Sequence, residues 1–150
     1  AVYLDNVRQR LVLVPSGFIS PNVDRFTRIA WHGGQVEGAI ENVPTRIKVD
    51  TGSSAALTIR AREFARFYPA EKIARLPDST TLAGSFSNEG VKGATFSIGA
   101  LTIEGNAKRV PNITGSAPAS IGYQVFKQTT VVLDAGKGAI FVRTPEVVDE

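Results

Sequence analysis

The residues of this chain best suited to chemistry are a carboxylate, a hydroxyl, a glycine and a second hydroxyl in direct succession. They form the sequence Asp50-Thr51-Gly52-Ser53. A lone carboxylate is a poor nucleophile toward an amide, but two carboxylates held close together cannot both ionise easily and therefore share a proton. One member of such a pair takes a proton from a bound water while the other donates a proton to the carbonyl oxygen. The chain has one loop of this type, so this chemistry depends on the source of a second Asp.

The segments on either side of Asp50 have the pattern of β-strands. Residues 45–49 alternate apolar or hydroxyl side chains with basic ones, which predicts a half-buried strand, and residues 55–59 predict the next strand. Residues 36–47 predict a hairpin that turns at 41–44. Asp-Thr-Gly is also ordinary turn chemistry, so a plain hairpin turn is the alternative for residues 50–52.

A hairpin that leads into an apolar–Asp–Thr–Gly–Ser loop resembles the active-site region of retropepsin-like aspartyl proteases of the bacterial type. A second element strengthens this resemblance, because Ile121-Gly122 precedes a predicted short helix at 123–128 and a strand at 129–134. In single-lobe members of the family an apolar–apolar–Gly element passes beneath the catalytic loop, which gives Ile121 and Gly122 a loop-supporting role. Ser120 departs from the apolar residue of that element. The resemblance covers residues 27 to 143.

The resemblance implies a role for each residue of the loop. Asp50 would be one half of a catalytic dyad, and the Thr51 hydroxyl would bind across to the partner loop. Gly52 would permit the tight turn and bring a backbone N–H close to the carboxylate. Ser53 would donate a hydrogen bond to the outer carboxylate oxygen. The resemblance implies no cofactor and no metal ion.

A downstream hairpin is a candidate flap. Residues 81–87 and 91–96 flank a predicted turn at 88–90, and the family's flap, which closes over bound peptide, follows a helical segment in the same way. The candidate flap residues are Gly84, Ser85 and Phe86, of which Phe86 lacks the hydroxyl of the Tyr in pepsin-like flaps. An ordinary β-hairpin is the alternative.

The two ends of the chain resemble each other. Val2-Tyr3-Leu4-Asp5 is similar to Val131-Val132-Leu133-Asp134, and an apolar strand resumes at the same spacing after each Asp. Internal similarity of this kind predicts that residues 1–16 are the closing hairpin of a preceding, similar lobe or an inter-lobe segment, and that residues 17–150 form the retropepsin-like lobe. Chance similarity of two short hairpins is the alternative. We interpret Asp134 as the end of a strand and not as a catalytic residue.

Many short strands separated by Gly, Asn and Pro turns predict a mainly β fold, a closed barrel-like lobe with one or two short helices, the first over 61–68. The absence of Cys excludes disulfides, zinc–thiolate sites and Cys nucleophiles. His32 is the only histidine, which argues against a Ser-His-Asp triad. The basic residues of the 60–75 stretch are interpreted as a solvated helix face, and no nucleic-acid partner is expected. No apolar run is long enough to span a bilayer, so no membrane partner is expected either.

These observations predict an aspartic endopeptidase lobe that acts on peptide or protein substrates. The second carboxylate would come from another copy of the chain in a symmetric homodimer or from a second similar lobe. An isolated lobe would then be inactive. The alternative is a non-catalytic peptide-binding or dimerisation module on a protease-like fold. The sequence is compatible with either the periplasm or the cytoplasm of a bacterium.

Overall fold

A computed structural model describes residues 1–20 and 25–143 of the chain. Twelve strands are present in this part of the chain: β1 (Val2–Asp5), β2 (Arg10–Leu13), β3 (Thr27–Ala30), β4 (Gln35–Ile40), β5 (Val43–Asp50), β6 (Leu57–Arg60), β7 (Ala74–Thr81), β8 (Gly84–Ile98), β9 (Leu101–Val110), β10 (Ala119–Gly122), β11 (Thr130–Asp134) and β12 (Ala139–Arg143). The helical elements are α1 (Ala61–Phe64) and single 3₁₀ turns at Ala70–Lys72, Tyr123–Phe126 and Ala135–Lys137. No helix in the described ranges is both long and apolar enough to cross a membrane.

The strands form two sheets. The larger has the order β4-β5-β10-β6-β9-β8-β7, and β4 also pairs with β8, so six of its seven strands are linked in a ring of pairings. The smaller has the order β2-β1-β11-β12-β3. The predicted mainly β class is therefore confirmed. The pairings do not describe one closed barrel, because the five strands of the smaller sheet stand outside the ring.

The main hydrophobic core lies between the strands of the larger sheet and one face of the smaller sheet. Its fully buried members include Ile40, Ile47, Leu57, Ile59, Phe96, Ile98, Ile121, Val131 and Ile140. The other face of the smaller sheet carries a second cluster formed by Ile19, Phe26, Val132, Ala139 and Phe141. The adjacent residues of β11 and β12 thus contribute to opposite clusters, as expected when successive side chains of a strand point to opposite faces.

The predicted hairpin before Asp50 is present, with a tighter turn than expected. Ile40 pairs with Val43, which leaves only Glu41 and Asn42 in the loop. Both have a left-handed backbone, with φ of 48° and 64°. A two-residue loop with positive φ at both positions matches the twist of the strands that it joins.

The predicted turn at residues 88–90 is wrong. Strand β8 runs through these residues without interruption, and the hairpin reverses at residues 82–83, because Thr81 pairs with Gly84. Gly90 serves close approach and not a turn, since a Cβ atom there would lie 1.9 Å from the carbonyl oxygen of Ala107. A glycine required by a neighbouring strand thus produced a false turn signal.

The helical predictions were too long. The helix expected over 61–68 ends as regular α-helix at Phe64, and the following residues form a turn that leads to Pro69. A single 3₁₀ turn follows at Ala70–Lys72, and β7 begins at Ala74.

Candidate active site

Asp50 is the last residue of β5, which lies inside the larger sheet between β4 and β10. Strand β10 runs parallel to β5, with Ile121 in register with Val49 and Gly122 in register with Asp50. The fold therefore brings the two predicted elements side by side, although they are far apart in sequence. Residues 51–56 leave the sheet directly above the end of β10.

The loop after Asp50 folds back on the carboxylate. The N–H of Gly52 donates to Oδ1 of Asp50 at 3.1 Å, and the N–H of Ser53 donates to the Asp50 carbonyl oxygen at 3.1 Å. The other carboxylate oxygen, Oδ2, lies 3.9 Å from Nζ of Lys48. The loop thus holds one side of the carboxylate. The other side is open to solvent, because the Asp50 side chain is 43% exposed.

Gly122 supports this loop from below. Its N–H donates to the carbonyl oxygen of Ala56 at 3.2 Å, and the N–H of Tyr123 donates to the carbonyl oxygen of Ser53 at 2.7 Å. A Cβ atom on Gly122 would lie 2.2 Å from the Ala55 carbonyl oxygen and 2.4 Å from that of Ser53. Its φ of −109° is open to any residue, so space and not backbone conformation calls for glycine here.

The two hydroxyl residues of the loop differ from the expected arrangement. The Ser53 hydroxyl accepts a hydrogen bond from the N–H of Ala55 at 3.3 Å instead of donating to the Asp50 carboxylate. Thr51 is exposed at the top of the loop. Its hydroxyl is therefore accessible from outside the chain, where a partner loop would have to lie.

Asp50 opens into a cleft of about 520 Å³. The walls come from the loop at 53–56, the base of the β7–β8 hairpin, the end of β9 and the segment at 112–114. Two lysines, Lys48 and Lys108, and a second carboxylate, Asp78, also line the cleft. The remaining lining is a mixture of hydroxyl, amide and aliphatic side chains, which suits an extended peptide better than a compact apolar ligand.

The candidate flap residues lie at the far end of the hairpin. Gly84, Ser85 and Phe86 follow the turn at 82–83 and are exposed. The part of the hairpin that lines the cleft is its base, at residues 76–79 and 88. The structure thus places these residues on the hairpin that borders the cleft but does not bring them to Asp50.

Arg60 is a residue of this region that sequence reasoning missed. Its assignment to a solvated helix face is wrong, because the residue is only 4% exposed. Nη2 of Arg60 donates to the carbonyl oxygens of Gly115 and Ala117 at 3.0 Å and to that of Ile113 at 3.4 Å. Arg60 thereby fixes the segment that forms one wall of the cleft. No local sequence signal marks this role, since a basic residue before a helix ordinarily lies in solvent.

Asp134 lies outside the cleft and is bound on both carboxylate oxygens. Oδ1 accepts from the Ser16 hydroxyl at 2.6 Å and from the Lys137 N–H at 3.2 Å, and Oδ2 accepts from the Gly17 N–H at 2.7 Å. Burial alone would raise the pKa of Asp134, but the hydrogen bonds from Gly17, Ser16 and Lys137 outweigh it and hold the pKa below its usual value. A carboxylate bound in this way ties segments together and has no oxygen free for a substrate.

Comparison with known proteins identifies the fold. No protein-family model matches the chain, and no curated protein is similar to it in sequence. A retropepsin-like aspartic protease from Rickettsia conorii has a similar crystal structure, with a TM-score of 0.56 and 13% identity over 79% of this chain and 90% of that chain. The EIAV protease in complex with the inhibitor HBY-793 gives a TM-score of 0.48 and 11% identity over 62% of this chain and 84% of that chain. The first of these likenesses shows that this chain has the fold of the retropepsin-like aspartic proteases.

Proposed function

We propose that this chain is one lobe of an aspartic endopeptidase, in which Asp50 supplies one carboxylate of the catalytic dyad. The observation that carries the proposal is the position of Asp50, half exposed at a cleft on a loop that rests on Gly122. The retropepsin-like fold supports the same function. Thr51, Gly52 and Ser53 complete the loop, and Ile121 with Gly122 forms its support.

The proposed chemistry uses Asp50 and a second carboxylate that share one proton. The ionised member takes a proton from a water molecule, whose oxygen then attacks the carbonyl carbon of the scissile peptide bond. The protonated member donates its proton to the carbonyl oxygen. The tetrahedral intermediate collapses when the C–N bond breaks: the carboxyl that took the water proton gives it to the leaving nitrogen, and a hydroxyl of the intermediate returns its proton to the other carboxylate, which restores the shared proton of the dyad. The Gly52 N–H holds Oδ1 of Asp50 throughout and so keeps the carboxylate in a fixed orientation.

The substrate would lie extended in the cleft, between the base of the β7–β8 hairpin and the wall that Arg60 fixes. Main-chain hydrogen bonds to strand and loop edges would hold it, in the manner of strand addition. Gly84, Ser85 and Phe86 would reach such a substrate only if the hairpin tip bends toward the cleft, which is the proposed flap role for these residues. The substrate class is peptide or protein.

The chain has one Asp-Thr-Gly loop, so the dyad requires a second copy of the chain or a second lobe. The same observation favours one alternative function. A lone lobe with an intact cleft would bind peptides, or pair with another lobe, without cleaving them.

A cleavage assay with matched variants tests the proposal. The purified chain is incubated with a diverse peptide mixture from acidic to neutral pH, and the products are read by mass spectrometry. Asp50→Asn should abolish cleavage, whereas Asp78→Asn, in the same cleft, should retain it. Equal cleavage by the wild type and Asp50→Asn would contradict the assignment. No cleavage by the wild type, combined with peptide binding in the cleft, fits both a binding module and a peptidase lobe without its partner, and cleavage by the chain joined to its second lobe distinguishes the two.

A further inference from the structure

The hairpin at the beginning of the chain and the hairpin at its end have the same internal register. Asp5 at the end of β1 lies opposite Arg10 of β2, and Asp134 at the end of β11 lies opposite Ala139 of β12. The two sequences that resemble each other therefore form the same pairing in space. The similarity extends from the sequence to the hydrogen-bonded structure.

The two turns also share their detailed geometry. The N–H of Arg8 donates to Oδ1 of Asp5 at 3.0 Å, and the N–H of Lys137 donates to Oδ1 of Asp134 at 3.2 Å. The next residue in each turn has a left-handed backbone, with φ of 53° in the first hairpin and 55° in the second. In the first hairpin that residue is Gln9, a side chain for which a positive φ is uncommon. The two turns thus agree both in their hydrogen bonding and in their backbone conformation.

The two hairpins are related by a local two-fold axis. Strands β1 and β11 pair antiparallel, and Tyr3 lies opposite Val132, its own counterpart in the repeat. The pairs on either side of it interchange under the same correspondence: Val2 with Leu133 and Leu4 with Val131. An interface in which each residue contacts its partner's equivalent is the signature of two-fold symmetry.

This symmetry is broken at the outer edges of the smaller sheet. On one side β12 pairs with β3, whereas within the described residues β2 has no strand on its outer side. The N–H of Trp31 donates to the Gly138 carbonyl oxygen at 2.9 Å, so by antiparallel alternation Ile140 and Val142 direct their backbone groups toward β3. Their counterparts in β2 are Leu11 and Leu13.

The backbone groups of Leu11 and Leu13 point outward, and no strand of the described residues pairs with them. Ala1 and Val14 exchange both backbone hydrogen bonds, at 2.8 and 3.0 Å, which by the same alternation turns the N–H and C=O groups of Leu11 and Leu13 away from β1. These groups correspond one to one with those that Ile140 and Val142 use to bind β3.

The side chains show the same contrast. The apolar residues of β2 are exposed, and their counterparts in β12 are buried: Leu11 is 64%, Val12 40% and Leu13 76% exposed, against 0% for Ile140, 4% for Phe141 and 4% for Val142. An uncovered apolar edge strand is an aggregation hazard that proteins ordinarily cover. The β2 edge therefore has both the polar and the apolar features of a strand that carries a partner.

We propose that the outer edge of β2 is the docking surface for a second lobe of the same fold, which precedes residue 1 in the polypeptide and adds a strand equivalent to β3. The chain order follows from the repeat. Because β11 and β12 come at the end of their own lobe, β1 and β2 come at the end of theirs. The hairpin also occupies the position beside β11 that a second copy's closing hairpin would need, which argues against a homodimer built on this axis.

The docking surface stands on the sheet geometry alone. The role of the preceding lobe as the source of the second carboxylate rests on the proposed function. The axis that relates the two hairpins would then relate Asp50 to an equivalent residue of that lobe. The two claims have different readouts, namely protection of β2 for the docking surface and peptide cleavage for the dyad.

Hydrogen exchange tests the docking surface. The amide exchange rates of Leu11 and Leu13 are compared between the 150-residue chain and the polypeptide made from the complete reading frame. We expect exchange about 100-fold slower or more in the complete polypeptide, with the amide of Leu82, in the exposed turn at 82–83, fast in both. Fast exchange at β2 in both proteins, or a reading frame that encodes no preceding lobe, overturns the proposal. So does protection in the 150-residue chain that grows with its concentration, because a second copy then covers the edge.

A pair of matched variants gives an independent readout. In the complete polypeptide Leu13→Lys should lower the melting temperature and restore fast exchange at β2, and Leu82→Lys should do neither. Equal melting temperatures for the two variants overturn the proposal. A complete polypeptide with a protected β2 edge and no peptidase activity upholds the docking surface and contradicts the proposed function. A complete polypeptide with peptidase activity and an unprotected β2 edge upholds the proposed function and contradicts the docking surface.

Discussion

Gly122 is the in-register neighbour of Asp50 on the adjacent parallel strand, and the loop that follows Asp50 lies on it. The contact is close because the carbonyl oxygens of Ser53 and Ala55 occupy the space that a side chain of residue 122 would need. The position of the Asp50 carboxylate is thereby set by a residue on another strand, as well as by its own loop.

We expect Gly122→Ala to displace the loop and to destabilise the protein. A methyl group about 2.2 Å from a backbone oxygen has no room, and overpacking of this kind costs on the order of 1–3 kcal/mol. Urea denaturation measures the change in the free energy of unfolding. Gly52→Ala is the control, since its Cβ would lie 3.4 Å from the nearest atom, an ordinary contact. Similar losses for both variants would show that the support from Gly122 is not specific.

We expect Asp134→Asn to change how stability depends on pH. The pKa of Asp134 is lowered in the folded state, so its contribution is present above the unfolded pKa and is lost as the pH falls through the folded pKa. The difference in unfolding free energy between the wild type and the variant should therefore be largest near neutral pH and shrink on acidification. Denaturation series at several pH values measure this difference. The control is Asp78→Asn, at a side chain that is half exposed. A difference that does not vary with pH would contradict this account.

Arg60→Met should destabilise the protein and loosen one wall of the cleft. The substitution removes three hydrogen bonds to the carbonyl oxygens of the 113–117 segment, which are left with fewer donors. Unmade buried hydrogen bonds of this kind cost on the order of 1–3 kcal/mol. Thermal unfolding measures the effect. Arg62→Met, at a side chain that is 73% exposed, should be nearly neutral, and equal effects at both positions would refute the role of Arg60.

Tyr68→Phe should make the protein less sensitive to alkaline pH. The Tyr68 hydroxyl donates to Oε1 of Glu41 at 2.9 Å. Burial first, then this hydrogen bond and the Glu41 charge, raise the pKa of Tyr68. A raised pKa stabilises the fold below the unfolded pKa, and this contribution is lost as the pH rises through the folded pKa. The variant should lose about 1 kcal/mol at neutral pH and show a shallower decline above it. Parallel alkaline unfolding curves would argue against this.

The elements that depend on local sequence were predictable. The alternation of residues 45–49, the presence of a hairpin before Asp50 and the end of a strand at Asp50 all follow from short-range pattern. The same holds for the hairpins at the two ends of the chain. Their similarity was visible as spacing between apolar strands and Asp.

The features that depend on distant partners were not predictable. Residues 88–90 have the composition of a turn, but the glycine at position 90 is required by the close approach of Ala107 on the neighbouring strand β9. Arg60 looks like a surface residue until the carbonyl oxygens of the 113–117 segment surround it. In each case the deciding contact joins residues that lie too far apart in the sequence for a local pattern to reveal it.

The most direct test of the account is the rate of peptide cleavage by the polypeptide made from the complete reading frame, compared among the wild type, Asp50→Asn and Asp78→Asn. Loss of an essential general acid or base lowers the rate on the order of 10²–10⁴-fold. We predict a loss of this size in Asp50→Asn, with an unchanged melting temperature, and a rate close to that of the wild type in Asp78→Asn. Cleavage by Asp50→Asn at the wild-type rate would contradict the assignment of Asp50 to a catalytic dyad.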